Sequence, residues 1–159
     1  MNQRHQLSCW VRVVALFRKV VSNTEEPRTG QDRPDCSPSQ ASTLASLFAH
    51  GDVIPSRAKD ADVELIVIGH DHPTLDVEMK KEPCFLYGKQ AWRGKDVLVL
   101  PAFNPLCAGT SINMLDSRDF LSPFIREGDI GAYRPIIVVE GEALEFPPLR
   151  EFRDWIRLE

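Results

Sequence analysis

The sequence lacks the features that mark several large classes of protein. Only four of its 159 residues are cysteines, and they are scattered without a Cys-x-x-Cys pair. In a chain of this length that pattern excludes a disulfide scaffold. We predict reduced thiols, with Cys84 and Cys107 buried as small apolar side chains.

Long apolar runs and an excess of basic charge are also missing. The apolar run near the start is interrupted by Arg12, Arg18 and Lys19, so it is too short for a spanning helix, and no small-residue cleavage site follows it. The 19 basic residues are outnumbered by 23 acidic ones, for a net charge of −4. This balance argues against a generally basic nucleic-acid-binding protein. We therefore expect a soluble, cytoplasmic protein.

The order of apolar and polar segments predicts three regions. Residues 7–21 have apolar side chains at helical intervals, which predicts an amphipathic helix within residues 1–22, although its β-branched content keeps a strand open. This basic helix could bind a membrane or a partner, but packing on its own domain is the favoured interpretation. Residues 23–40 are polar and proline-rich, which is typical of a linker. Residues 41–159 form the domain proper.

Short apolar runs within residues 41–159 predict an α/β domain that is rich in strands. The continuous run Val63–Gly69 is typical of a central strand that is buried on both faces. We also predict a short helix that is capped by Ser39 or Ser42 and ends at Ala49, and a terminal helix over Arg150–Ile156. The other predicted strands are Thr74–Met79, Cys84–Gly88, Asp96–Phe103, Pro135–Glu140 and Glu142–Phe146.

Three of the four histidines lie in this domain. His70 and His72 follow the central strand directly, and His50 lies 20 residues upstream of His70. The carboxyl edge of a parallel sheet is where ligands usually bind, and Gly69 would let the backbone turn sharply there. Because imidazole is a common ligand for divalent ions, His50, His70 and His72 are candidate metal ligands. A His-x-His pair alone has low specificity, so two merely exposed side chains are the alternative.

These histidines lie in motifs that resemble a known family. The segments LFAHGD and ELIVIGHDHPTL resemble the last two motifs of the calcineurin-like metallophosphoesterases, and VLVLPAFNPLCAGTSIN is similar to the same family. The likeness covers residues 44–157. It is greatest to the small prokaryotic branch related to the exonuclease subunit of double-strand-break repair.

The resemblance implies a fold, a metal site and a reaction. The fold would be the C-terminal portion of a two-layer β-sandwich flanked by helices. His50 and His70 would bind the second ion of a dinuclear site, and His72 the first. The ions would be manganese, zinc or iron. The reaction would be hydrolysis of a phosphomonoester or phosphodiester, with nucleic acid or a nucleotide among the possible substrates.

Departures from the family pattern limit that expectation. The family's earlier motifs, Asp-x-His, Gly-Asp-x-x-Asp and Gly-Asn-His-Glu/Asp, do not occur in this sequence. We expect Asp71 to point away from His70 and His72, so it would not replace the missing carboxylates. The chain is therefore expected to be a truncated or frameshifted phosphoesterase with little activity alone, or one that needs a partner chain. A non-catalytic remnant or binding module is the alternative.

Two further segments are weaker candidates. Lys80, Lys81, Lys89, Arg93 and Lys95, with Tyr87 and Trp92 among them, could contact a phosphate backbone, but a solvated hairpin is favoured. The polar loop 104–111 could contact a substrate, with a plain turn as the slightly favoured alternative.

Overall fold

A computed structural model of the chain describes residues 45–77, 80–104 and 106–156. The predicted N-terminal helix and linker, residues 1–22 and 23–40, lie outside the described residues. The described part is mixed α/β with mostly sheet and few helices, as the sequence predicts at that level. Its strands are β1 Ala45–Phe48, β2 Val63–Ile68, β3 Pro73–Val77, β4 Lys80–Pro83, β5 Phe85–Trp92, β6 Lys95–Val99, β7 Thr110–Ser111, β8 Arg134–Val139 and β9 Glu142–Glu145.

The larger sheet combines a parallel half with an antiparallel half. Its six strands run in the order β1-β2-β6-β5-β8-β9. Strand β2 pairs in parallel with both β1 and β6, while β5, β8 and β9 continue the sheet in antiparallel pairs. Five of the six β2 side chains are buried, which confirms the prediction of a central strand covered on both faces.

A smaller sheet and two short helices complete the described part. The three strands β4-β3-β7 form the second sheet, in which β3 and β4 are antiparallel and β3 and β7 are parallel. Helix α1 spans Pro123–Arg126 and helix α2 spans Leu149–Ile156. Single 3-10 turns lie at Ser56–Lys59, Ser117–Asp119 and Ile130–Ala132.

Both sheets contribute to one hydrophobic core. Ile66 and Val97 of the larger sheet, Leu75 of the smaller sheet and Phe152 of α2 belong to the same buried cluster. Trp92 and Phe124 pack edge to face within it, with their ring centroids 4.9 Å apart. Burial of this apolar surface is the main term that stabilises the fold.

The predicted helix ending at Ala49 is wrong over its described part. Residues Ala45–Phe48 form strand β1, which pairs with β2 from Val63 to Val67. Pairing with a buried neighbour strand satisfies the backbone hydrogen bonds of this segment, and a four-residue run carries too little periodicity to predict that outcome. The terminal helix and the β8–β9 hairpin lie within one residue of their predicted positions.

Candidate functional site

Three parallel strands bring the candidate residues to one edge of the larger sheet. Strands β1, β2 and β6 run in the same direction, so their carboxyl ends share an edge. His50 follows β1 by two residues, and His70 follows β2 by two residues. The backbone nitrogen of Gly69 donates to the carbonyl of His50 at 3.1 Å, which ties the two loops together.

The side chains of His50 and His70 are in direct contact. Nδ1 of His70 lies 2.9 Å from Nε2 of His50, and the ring centroids are 4.6 Å apart. One nitrogen donates its proton to the lone pair of the other, and the tautomers decide which one is the donor. His50 is exposed and His70 is partly exposed, so the pair is open to solvent.

This spacing also suits two ligands of one divalent ion. Nitrogens that bind an ion at about 2.0–2.1 Å are about 2.9 Å apart at a right angle and about 3.4 Å apart at the tetrahedral angle. An ion between the rings would replace the shared proton, because both nitrogens must present lone pairs to it. The observed 2.9 Å matches the right-angle separation and is shorter than the tetrahedral one, so the contact as it stands is a hydrogen bond and the metal role of both histidines stays a prediction.

The turn around the two histidines depends on Gly51 rather than on Gly69. Gly51 has a φ of +109°, and a Cβ there would lie 2.9 Å from Cβ of Ile68 and 3.3 Å from Cβ of His70. Gly69 has no positive φ, and a Cβ there would meet nothing within 4 Å. The sharp turn expected at Gly69 is thus wrong. The left-handed residue of that loop is His72, whose φ is 48°.

His72 stands apart from the His50–His70 contact in its surroundings. Its Nδ1 is buried and has no hydrogen-bond partner, and its carbonyl accepts from the backbone nitrogen of Thr110 at 2.9 Å. Across the described residues, no three His, Cys, Asp or Glu side chains form a group that could hold a metal ion. The structure brings His50 and His70 into contact, and the metal site made of His50, His70 and His72 stays a prediction.

Asp71, which lies between His70 and His72, has a structural role that the sequence did not predict. Its carboxylate is 2% exposed and accepts from the backbone nitrogens of Leu121 at 2.7 Å and Ser122 at 3.1 Å. Its charge, together with burial as the larger cause, raises the pKa of the buried Tyr133 hydroxyl. No local pattern signals this role, because the partner nitrogens lie 50 and 51 residues further along the chain.

Both aromatic side chains of the basic stretch are hydrogen-bonded within the fold. Trp92 is 1% exposed and donates from Nε1 to Glu127, while the Tyr87 hydroxyl donates to Asp96 at 2.5 Å. The Lys95 ammonium donates to the carbonyls of Asp60 and Val63. Lys80, Lys81 and Lys89 are exposed, which favours the interpretation of the stretch as a solvated hairpin.

The two described cysteines have opposite environments. Cys84 is fully buried as predicted, and burial raises the pKa of its thiol to about 12. Cys107 is exposed, so the prediction of burial is wrong there. It lies in the loop that follows β6, next to Leu106, which is 90% exposed, so this part of the loop is at the surface.

Comparisons with known proteins identify no relative of this chain, so a function has to be argued from its residues. The chain matches no family model, no curated protein and no solved structure. None of the helices in the described part of the chain has the length and hydropathy needed to span a bilayer.

Proposed function

We propose that this chain carries the histidine half of a metal-dependent phosphoesterase site. The contact between His50 and His70, 2.9 Å at their ring nitrogens, is the observation that carries the proposal. It joins the two motifs that resemble the calcineurin-like metallophosphoesterases, although they are 20 residues apart. The described part has a larger and a smaller sheet that contribute to one core, which is compatible with the two-layer sandwich of that family.

The roles of the chain's own residues follow from their chemistry. His50, His70 and His72 would supply neutral imidazoles to a divalent ion such as manganese, zinc or iron. When bound, the ion polarises a phosphoryl oxygen and lowers the pKa of bound water. Asp71 would hold the turn that presents His70 and His72, through the backbone nitrogens of Leu121 and Ser122.

The proposal also explains why activity should depend on residues that the sequence does not have. Three imidazoles bring no negative charge to offset two dications, and Asp71 is engaged with backbone nitrogens. Two ions held close together need the carboxylates of the motifs that are missing. We therefore expect a weak mononuclear site in this chain and a productive site only when those motifs are supplied.

Hydrolysis of bis(p-nitrophenyl) phosphate with added manganese tests the proposal. We expect the chain alone to show little or no turnover. A chimaera with an upstream segment that carries the three missing motifs should gain turnover, and His72→Ala should remove it. His5→Ala is the matched control and should leave the chimaera active. A chimaera that folds, binds metal and still has no activity would overturn the proposal. Robust turnover by residues 1–159 alone would contradict the argument from charge.

A non-catalytic binding module is the second candidate. The observation in its favour is that the described residues contain no group of three metal-ligating side chains. It predicts phosphate-ester binding without metal dependence. Titration of p-nitrophenyl phosphate with and without a chelator separates it from the first candidate.

A further inference from the structure

A pocket of about 420 Å³ opens beside the loop that follows β6. Its walls include Thr74, Lys81, Phe103, Asn104, Cys107 and Ala108. The volume lies within the range of pockets that take small organic molecules. The sequence marks the same loop as a polar segment after a strand, and the proposed metal site does not use it.

The pocket shares its backbone with the histidine turn. Thr74 lies two residues beyond His72, at the start of β3. From the other side, the backbone nitrogen of Thr110 donates to the carbonyl of His72 at 2.9 Å. Gly109 makes this approach possible, because a Cβ there would lie 2.7 Å from the His72 carbonyl oxygen and 2.4 Å from Cγ2 of Thr74. The wall residue Thr74 is therefore two residues along the chain from His72, and the loop that carries Ala108 is hydrogen-bonded to the His72 backbone.

The lining combines a flat apolar surface with hydrogen-bonding groups. Phe103, which is 52% exposed, lines the pocket, and Ala102 and Ala108 add small apolar surfaces. The amide of Asn104 is fixed by its own loop, since Leu106 donates from its backbone nitrogen to Oδ1 at 3.0 Å. Thr74 is 4% exposed, and its hydroxyl is buried without a hydrogen-bond partner. An aromatic face with an amide at its border suits a planar ring that carries polar atoms.

We propose that this pocket receives the aromatic ring of the phosphate ester whose phosphate lies at the histidine turn. The inference rests on the proposed function for the placement of the phosphate, but the ring has a site of its own. The shared chemistry is a planar ring, which either a nucleobase or a simple aryl group supplies. Asn104 would then hydrogen-bond the polar edge of a base, and would be idle against a plain aryl ring.

Ring binding is measured on the full chain by chemical-shift changes in NMR titrations with adenosine, AMP, phenyl phosphate and ribose 5-phosphate. Adenosine has no phosphate, so it reports on the pocket even if no phosphoesterase site exists. We expect adenosine and AMP to shift the signals of Phe103 and Ala108, and ribose 5-phosphate to bind about tenfold more weakly than AMP. Equal affinity for AMP and ribose 5-phosphate, or no response to adenosine and phenyl phosphate alike, would overturn the inference.

Two variants place the ring. Ala108→Phe fills the pocket and should weaken AMP about tenfold while ribose 5-phosphate binds as before. The matched control is Ala61→Phe, an exposed alanine in the turn before β2, which should change neither affinity. AMP binding that survives Ala108→Phe contradicts the pocket.

Asn104→Ala distinguishes the two ring sources. If Asn104 binds a nucleobase, the variant should weaken the binding of AMP but not that of phenyl phosphate. If the ring is a plain aryl group, it should change neither affinity. Adenosine binding without any metal-dependent hydrolysis in the chimaera would retain the pocket and reject only the phosphoesterase.

Discussion

The contact of His50 with His70 makes a prediction at the scale of single residues. If the rings of His50 and His70 separate from 2.9 Å to the roughly 3.4 Å of tetrahedral ligands and His72 joins them, the three imidazoles should hold one divalent ion weakly, with zinc the best candidate. Replacing His50, His70 or His72 by alanine should each remove most of the bound zinc, as measured by equilibrium dialysis with elemental analysis. His5→Ala should retain it. Equal zinc in the wild type and in His72→Ala would contradict the three-histidine site.

The cysteines give a second prediction at this scale. Burial raises the pKa of the Cys84 thiol to about 12, so this thiol stays protonated and shielded, whereas Cys107 is exposed. In a chain with Cys9→Ser and Cys36→Ser, one thiol should react with a disulfide reagent in the folded state and two after unfolding. Rapid reaction of both thiols in buffer would show that Cys84 is accessible.

Cys84 also sets the sign of a pH effect. The folded state keeps the thiol protonated above its ordinary pKa, while the unfolded state releases that proton at about pH 8.5. The stabilising contribution is therefore complete below about pH 8.5 and is lost as the pH rises towards 12. Cys84→Ala should flatten the fall of the unfolding free energy over that window, as measured by urea denaturation at each pH. An unchanged slope would contradict the shifted pKa.

At the scale of elements, the loop after β1 and the turn after β2 form one unit that depends on Gly51. Gly51→Ala must place a side chain at a φ of +109° and 2.9 Å from Cβ of Ile68, so we expect a loss of about 1–3 kcal/mol in unfolding free energy. Gly69→Ala is the matched control, because a Cβ there meets nothing within 4 Å, and should change stability by less than about 0.5 kcal/mol.

The two glycine variants should also differ in metal binding. A Cβ added at Gly51 would lie 3.3 Å from Cβ of His70. The alanine would therefore push His70 away from His50. We expect Gly51→Ala to weaken zinc binding and Gly69→Ala to leave it unchanged, by the same dialysis measurement. The reverse order would show that Gly69 shapes the site.

Elements with a strong local pattern were predictable, and those defined by distant partners were not. The apolar run at Val63 predicts β2 within one residue, because burial on both faces leaves no polar position to disturb it. Strand β1 could not be predicted, since only its pairing with β2 distinguishes it from a short helix. In the candidate site, the sequence motif identifies the histidines. It does not predict the hydrogen bond from the backbone nitrogen of Leu121 to Asp71, because the two residues are 50 positions apart. A local sequence pattern predicts local structure, whereas such contacts form only when the whole chain has folded.

At the scale of the whole molecule, Thr43–Glu159 forms a unit of its own. The buried cluster of the described residues runs from Ala58 to Phe152, with Leu47 packed against it, so the apolar surface that stabilises the fold is supplied within this unit. We predict that a chain beginning at Thr43 unfolds cooperatively in urea. Its unfolding free energy should lie within about 1 kcal/mol of that of the full chain, as measured by circular dichroism.

Limited proteolysis of the full chain should give the same boundary. The sequence predicts a linker over residues 23–40, so we expect the first cuts to fall there and to release a fragment that begins near Ser39. If the full chain binds zinc through His50, His70 and His72, the fragment should bind it equally, because it contains all three histidines and the strands β1, β2 and β3 next to them. First cuts within residues 63–103, or a fragment without a cooperative transition, would show that this unit does not hold its core alone.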